Sequence, residues 1–521
     1  MMNFFDCNCM LGPTATNREN SFASADALLA EMDKLSIAEA LVYSSLAYQA
    51  HPSDGNERLI KDISGFDRFH PCWVLLPPGT DELPKPDKLI MEMRDANVRA
   101  ARIFPVAHKF PFSRLALGEL LEALAEEKIP LFVDMGRNHW SETKLDWEEV
   151  FAICETFAKL PVVLIREGGT TQRILYSAWK RYPNLYLETS YLQVPECLDY
   201  IFHQFGAERL LFGTDMPIHD PGGPMAMLEL SHLSPIQQAQ VAGDNLRRLL
   251  GLHTSLSHFS SPLSPSLGRG AGGEGRIFDA HGHLGRWEQV YCSAGTIDET
   301  VAAMDRFNIA RFAISDFLAI GPDYYSGNTR VGEAVKKYPD RIVGYAVYNP
   351  NYESKMEDEM KRCFDELGLT AIKLHCGTHA VSVEDQRYRK AFVIANERHA
   401  PVLVHGGPSA AFLRGLLSDY PNLYFIQAHV GGSTPDGMGQ MIEVAREFPH
   451  LIFDLASSVC HRNFLAWLVK QIGSEQIVYG SDFPIMDFGW QLGRVLHGPI
   501  SEQDKQKIIF ENANRIFCLV T

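Results

Sequence analysis

RIFDAHGH, Arg276 to His283, decides how the second half of this chain is read. Its apolar start and the period-two spacing of Asp279, His281 and His283 predict a β-strand whose three polar side chains share one face. Further short β-rich runs follow, namely RFAISD, RIVGYAVY, AIKLH, PVLVHGG, YFIQAH, LIFDLA and IVYGSD, with longer helix-patterned stretches between them. Eight candidate strands in about 245 residues, each followed by a helix, predict a parallel (β/α)8 barrel with its helices outside. No GxGxxG fingerprint follows the first strand, so a dinucleotide-binding doubly wound sheet is disfavoured.

Upstream of this strand, from Gly251 to Gly275, the composition turns to Ser, Pro and Gly (SSPLSPSLGRGAGGEG), which predicts a flexible linker. On its far side the pattern repeats. FDCNCMLG matches FDAHGHLG, Arg68 matches Arg341, PLFVDMG matches PVLVHGG, LIREGG matches QAHVGG and LFGTDMP matches VYGSDFP, at offsets that drift only from 273 to 263. The expected architecture is two tandem TIM-type (β/α)8 barrels, residues 1–250 and 276–521, joined by a Ser/Pro/Gly-rich linker over 251–275.

A chain of 521 residues that is 46% hydrophobic and 21% charged suits a globular protein of two domains. Its net charge of −16 argues against nucleic acid or an anionic membrane surface as partner and leaves a small-molecule substrate. Met1 to Gly12 lacks the pattern of a secretory signal, and no apolar run reaches the length of a membrane span, so a cytoplasmic location is expected. The ten cysteines show no CxxC spacing and are expected to be reduced and mostly buried.

With 19 histidines in 521 residues, an HxH is expected about 0.7 times by chance, so the motif alone decides nothing. The rest of the pattern does. Lys373 and His375 end the fourth candidate strand, His405 the fifth, His429 the sixth and Asp482 the eighth, and in a barrel all those ends meet at one mouth. Imidazole nitrogen and carboxylate oxygen suit one divalent ion, zinc first, with manganese or iron(II) as alternatives. Asp279 is a candidate second-shell partner that fixes an imidazole tautomer. Lys373 and His375 are candidates for a second shell or a second metal, Lys373 through carboxylation.

FDAHGHLG, AIKLH, VLVHGG, QAHVGG, YGSDFP and ENANRIF, in that order, resemble the successive motifs of the amidohydrolase-related branch of the amidohydrolase superfamily, which includes amino-carboxymuconate-semialdehyde decarboxylase. The resemblance implies a metal held by His281, His283, His405 and Asp482, with His429 at the position that activates water at the metal. Asp482 is a second candidate for handling the proton. In the first half Asn8, Met10, Phe104, Asp134 and Arg166 stand where His281, His283, His375, His405 and His429 stand, while Asp6 and Asp215 persist. The first barrel is therefore expected to have lost this chemistry. Its candidate roles are support of the active barrel in a dimer-like pairing, an anion site at Arg102 and Arg166, or none; a homo-oligomer is the other candidate assembly.

The leading expectation is metal-dependent hydrolysis of a small ester, lactone or amide in the C-terminal barrel. The alternative is non-oxidative decarboxylation or hydration of an unsaturated or aromatic carboxylic acid, for which Arg286, beside Trp287 after the first strand, is a candidate substrate-binding cation. The third reading is a non-catalytic binding module.

Overall fold

The computed structural model describes residues 2–15, 21–136, 144–252, 276–459 and 461–518. The chain divides into two compact units, Met1–Ser264 and Pro265–Thr521. The expected linker lies, from residue 253 to 275, outside the described residues.

In the first unit β1 (Phe4–Leu11), β2 (Ile37–Ser44), β3 (Phe69–Val74), β4 (Ala100–Ile103), β5 (Leu131–Val133), β6 (Val162–Leu164), β7 (Leu185–Glu188) and β8 (Leu210–Leu211) form one parallel sheet in sequence order. The second unit repeats this with β9 (Ile277–Leu284), β10 (Ile309–Asp316), β11 (Ile342–Val347), β12 (Ala371–His375), β13 (Val402–His405), β14 (Phe425–Gln427), β15 (Leu451–Asp454) and β16 (Ile477–Val478). Parallel neighbours require a crossover, and helices occupy each one. The sheets curl back on themselves: parallel bridges join Cys9 to Met216 and Gly282 to Phe483. Across the second seam Ala280 N–H donates to the Tyr479 carbonyl at 2.9 Å and Asp482 N–H to that of His281 at 2.9 Å. Both units are (β/α)8 barrels of TIM type.

Inward apolar residues fill the lower part of each barrel. In the second, Ala313, Tyr345, Ala371, Leu403, Ile426 and Ile452 belong to one buried cluster, against which the C-terminal helix sets Ala513, Ile516 and Phe517. Each buried Leu or Ile stabilises the barrel by roughly 1.5–3 kcal/mol. Two residues further along the same inward phase stand Ser315, Lys373, His405 and Asp454, at the C-terminal ends of their strands. The apolar floor thus carries the polar mouth.

Strict alternation in the first strand of this barrel fails at one point. Asp279 pairs with Phe312 but Gly282 with Ile314, so β9 holds one extra residue, a β-bulge. Phe278 and Ala280 belong to the inner cluster before the bulge, and His281 and His283 turn inward after it. Asp279 therefore lies on the opposite phase from the two histidines, where its Oδ1 accepts from the backbone N–H of His281 at 3.0 Å and of Ser481 at 3.1 Å. β1 carries the same bulge, with Asp6 paired to Ala40 and Cys9 to Val42.

The repeat holds at the level of single hydrogen bonds. Arg68 Nε donates to the Ala38 carbonyl at 2.7 Å, and Arg341 Nε to that of Ala310 at 3.0 Å. Each also pairs with an aspartate near the end of the helix that follows the first strand of its barrel, Asp33 and Asp305. Of the nine described cysteines all but Cys518 are buried. Among the described residues no helix is long and apolar enough to cross a membrane.

Candidate metal centre

Strand ends deliver the side chains of the second mouth. β9 supplies His281 and His283, β12 Lys373, β13 His405, and the turns after β14 and β16 supply His429 and Asp482. His429 and Asp482 stand in left-handed backbone, with φ of 62° and 64°. Donor atoms of His281, His429 and Asp482 lie within 4.8 Å of one another, the one such group of three among the described residues. His283 Nε2 is 3.0 Å from Asp482 Oδ1, and His405 Nδ1 is 3.1 Å from His429 Nε2. The five residues form one connected cluster.

Partners behind the rings assign their proton positions. His281 Nδ1 is 2.7 Å from Asp454 Oδ2, so it carries the hydrogen and leaves the Nε2 lone pair for the mouth. His429 Nδ1 lies 3.2 Å from the Ala456 carbonyl, which only accepts, so Nδ1 carries the hydrogen and the Nε2 lone pair faces His405 Nδ1 at 3.1 Å. His283 Nε2 donates to Asp482 Oδ1 at 3.0 Å, and Ser315 Oγ, 3.0 Å from Nδ1, is a hydroxyl that can donate to it or, once an ion takes Nε2, accept its hydrogen. Convergent imidazole lone pairs beside a buried carboxylate fit a divalent transition-metal ion.

Electrostatics agree with that donor set. Burial lowers the His283 pKa to about 4 against the pull of Asp482, and burial, then Lys373, hold His281 well below its ordinary value. Burial likewise depresses His375 and His405. Neutral imidazole is the form that binds a metal. Burial works against charge on Asp482, but the hydrogen bond from His283 and the fields of His281 and His429 outweigh it and hold the carboxyl far below the carboxylate range. Lys373 Nζ, buried 2.9 Å from His281 Nε2, is lowered by burial to about 8.

Other candidates from the sequence fall elsewhere. Asp279 is fully buried, its pKa driven well up by burial, and it braces backbone. His375 lies with its ring 4.1 Å from that of His405, tilted by 40°, and accepts from the Thr378 N–H at 3.3 Å as a helix cap. Arg286 is exposed, its side chain packed over Gly295. His379 is buried between the Tyr388 hydroxyl and the Ile320 carbonyl.

Asp454 escaped the sequence reading. Its Oδ2 accepts from the His281 ring and, at 3.2 Å, from the His429 backbone N–H, so one carboxylate orients two histidines. The signal was present in LIFD, an acid at a strand end, and in Glu188, which ends the matching strand of the first half. A Cβ at Gly480 would collide with Asp454 Oδ1 and His281 Cβ, and one at Gly213 with Glu188 Oε2 and Cys7 Sγ, so each barrel needs glycine under this carboxylate.

The first mouth has the same frame and different chemistry. Arg166, at φ 56°, places Nη2 2.6 Å from Asp134 Oδ1 and Nη1 3.3 Å from Asp215 Oδ2. Arg102 Nη2 lies 2.5 Å from Asp134 Oδ2, and its Nη1 donates to Asn8 Oδ1 at 2.8 Å. His219 Nδ1 is 2.7 Å from Asp215 Oδ2. Burial opposes charge on Asp134, yet Arg166 and Arg102 bring its pKa to about 2. Both guanidiniums are thus occupied by carboxylates of the barrel itself.

Comparison with known proteins adds relatives. The chain is 22% identical over 219 residues to the 2-amino-3-carboxymuconate-6-semialdehyde decarboxylase of Dictyostelium discoideum, a match covering 34% of this chain and 60% of that protein. It is 22% identical over 247 residues to the gamma-resorcylate decarboxylase of Rhodococcus jostii, covering 37% of this chain and 75% of the other. Among solved structures, a dihydroxybenzoic acid decarboxylase from Polaromonas, with bound manganese and an inhibitor, is 18% identical at a TM-score of 0.36, covering 47% of this chain and 97% of that one. The model of the amidohydrolase family matches residues 18–252 and 278–519, one segment in each barrel, and the chain belongs to that family.

Proposed function

We propose that the second barrel is a metal-dependent non-oxidative decarboxylase of a small aromatic or unsaturated carboxylic acid. The observation that carries this reading is the cluster of buried His281, His283 and Asp482 with half-buried His405 and His429, and the Lys373 ammonium at its floor, 2.9 Å from His281 Nε2. With an ion bound, the metal and Lys373 together would outweigh the Asp482 carboxylate, which favours an anionic substrate. Both curated relatives are decarboxylases. Hydrolysis of a small ester, lactone or amide would use the same donor set but has no such relative behind it.

His281, His283, His405 and Asp482 would hold one divalent ion, zinc, manganese or iron(II). When bound, the ion supplies Lewis-acid polarisation of a substrate oxygen. Decarboxylation breaks the bond between carboxylate and ring or alkene carbon, releases CO2, and leaves an electron pair that must take up a proton. His429 is the donor, acting from its imidazolium form: Nδ1–H stays on the Ala456 carbonyl, Nε2–H gives its proton to the carbon, and the ring is left neutral. Asp482, held as a carboxylate, has none to give. One observation favours a different division of labour, since His429 and not His405 belongs to the group within 4.8 Å. In that second reading His429 is a ligand and His405 moves the proton.

In the first barrel Arg166 and Arg102 take the place of metal and ligands, and we propose that it is catalytically inactive. The test of function is CO2 release from hydroxylated benzoates and unsaturated dicarboxylates, with lactones and esters run in parallel. CO2 evolution that disappears in His429→Asn is the expected result; hydrolysis of a lactone with no CO2 release overturns it.

A further inference from the structure

His283 is held on its face as well as at its nitrogens. Its ring stacks on Phe317 with centroids 4.5 Å apart and planes at 24°, and Phe317 stacks in turn with Trp287 at 5.3 Å and 26°. Phe317 is buried and opens a short helix whose first turn is fixed by Asp316, with Oδ1 accepting from Leu318 N–H at 2.7 Å. Asp316 is itself paired with Arg330 at 3.2 Å. The end of β10 thus supplies two restraints on one imidazole: Ser315 acts in the ring plane at Nδ1, and Phe317, two residues on, acts on the ring face.

The first barrel offers a control within the same chain. Ser44 caps Leu46 N–H as Asp316 caps Leu318 N–H, and Gly55 lies under Ala47 as Gly327 lies under Ala319, which aligns these segments residue by residue. On that alignment Tyr43 stands for Ser315 and Ser45 for Phe317. Where Met10 replaces His283, both restraints are gone as well, and Tyr43 instead lies under the Arg102 guanidinium at 4.1 Å.

We propose that Phe317, backed by Trp287, is a positioning residue for His283, fixing the plane of the imidazole so that Nε2 points at the ion beside Asp482. The inference rests on the metal-site reading above. Contact on the ring face limits the tilt of the imidazole, which an in-plane hydrogen bond at Nδ1 leaves open, and partners behind metal-binding histidines tune affinity about 10- to 100-fold.

Two measurements test it on the full chain. In the first, zinc affinity is measured by chelator competition: Phe317→Leu is expected to weaken it about 10-fold, with Phe317→Tyr within about 2-fold of wild type. In the second, nitrogen NMR of 15N-histidine protein without metal, with His283 assigned through His283→Gln, reads the tautomer. Wild type and Phe317→Tyr should show a single Nε2–H form, donated to Asp482 with Nδ1 accepting from Ser315, and Phe317→Leu a mixture. Equal zinc affinity in wild type and Phe317→Leu, or no recovery in Phe317→Tyr, overturns the proposal. If wild type takes up no zinc, the metal-site reading falls, and an unchanged tautomer in Phe317→Leu would sink the positioning role separately.

Discussion

Arg166 and His429 stand at the same turn of their two barrels, each in left-handed backbone, at φ 56° and 62°. Neither is glycine, so each barrel sustains a conformation that costs about 1 kcal/mol or more. Asp215 and Asp482 repeat the relationship at 60° and 64°. The frame that aims these side chains is common to both barrels, and what changed is the source of positive charge between them. In one barrel it is a guanidinium; in the other the geometry suits a metal ion.

Removing the guanidinium should damage only its own barrel. Arg166→Gln leaves buried Asp134 with Arg102 alone and buried Asp215 with His219 alone, and the expected loss is about 3 kcal/mol, the low end for breaking a buried pair. Hydrogen exchange followed by peptide mapping should show faster exchange over the first barrel and wild-type protection around His281 and Asp482.

Metal content separates the two assignments of the histidines. Plasma mass spectrometry on protein purified without an affinity tag should find about one transition-metal ion per chain, lost in the His281→Ala/His283→Ala double variant. His405→Gln should lose the ion and His429→Asn keep it. The reverse outcome would make His429 the ligand and His405 the proton carrier.

Acid should weaken the metal-free second barrel through His283. Its folded pKa of about 4 lies below the ordinary 6.5, so between those values the unfolded chain binds more protons and stability falls as pH falls. From pH 7 to pH 5 this single group contributes a loss of about 2 kcal/mol. The raised pKa of Asp279 pulls the other way, so the measurement is the difference in pH dependence of urea unfolding between wild type and His283→Gln. Identical slopes would refute the assignment.

Asp454 should matter as much as a ligand. Asp454→Asn is expected to weaken metal affinity about 10- to 100-fold, because the His281 ring loses its charged partner and the His429 backbone its anchor. Gly480→Ala should reproduce part of that loss and destabilise the barrel by about 1–3 kcal/mol, since its new methyl meets Asp454 and His281. Titration calorimetry and thermal melts check both.

Much of this was legible in the sequence, for identifiable reasons. β-rich runs alternating with helical stretches carry the barrel, and strand ends of a barrel converge, so His281, His283, His405, His429 and Asp482 could be brought together before any coordinates. Asp279 could not be placed, because the bulge in β9 is set by pairing with β10 and leaves no mark in the local alternation. Phe317 read as an ordinary apolar residue after a strand; only three-dimensional packing shows which ring it touches. The donor division between His405 and His429 depends on separations of a few ångströms, which spacing along a chain does not encode.

The guanidinium of Arg166 is tethered by covalent bonds, and this gives the two barrels different relations to their surroundings. An ion held by lone pairs is in exchange with solution, and it stabilises its barrel by an amount that follows the free metal concentration. No chelator or dialysis can withdraw Arg166 from Asp134 and Asp215. On the proposed metal reading the fold of the second barrel would be set in part by the metal available around it, whereas the first would be indifferent to that supply and serve, within one polypeptide, as its constant reference.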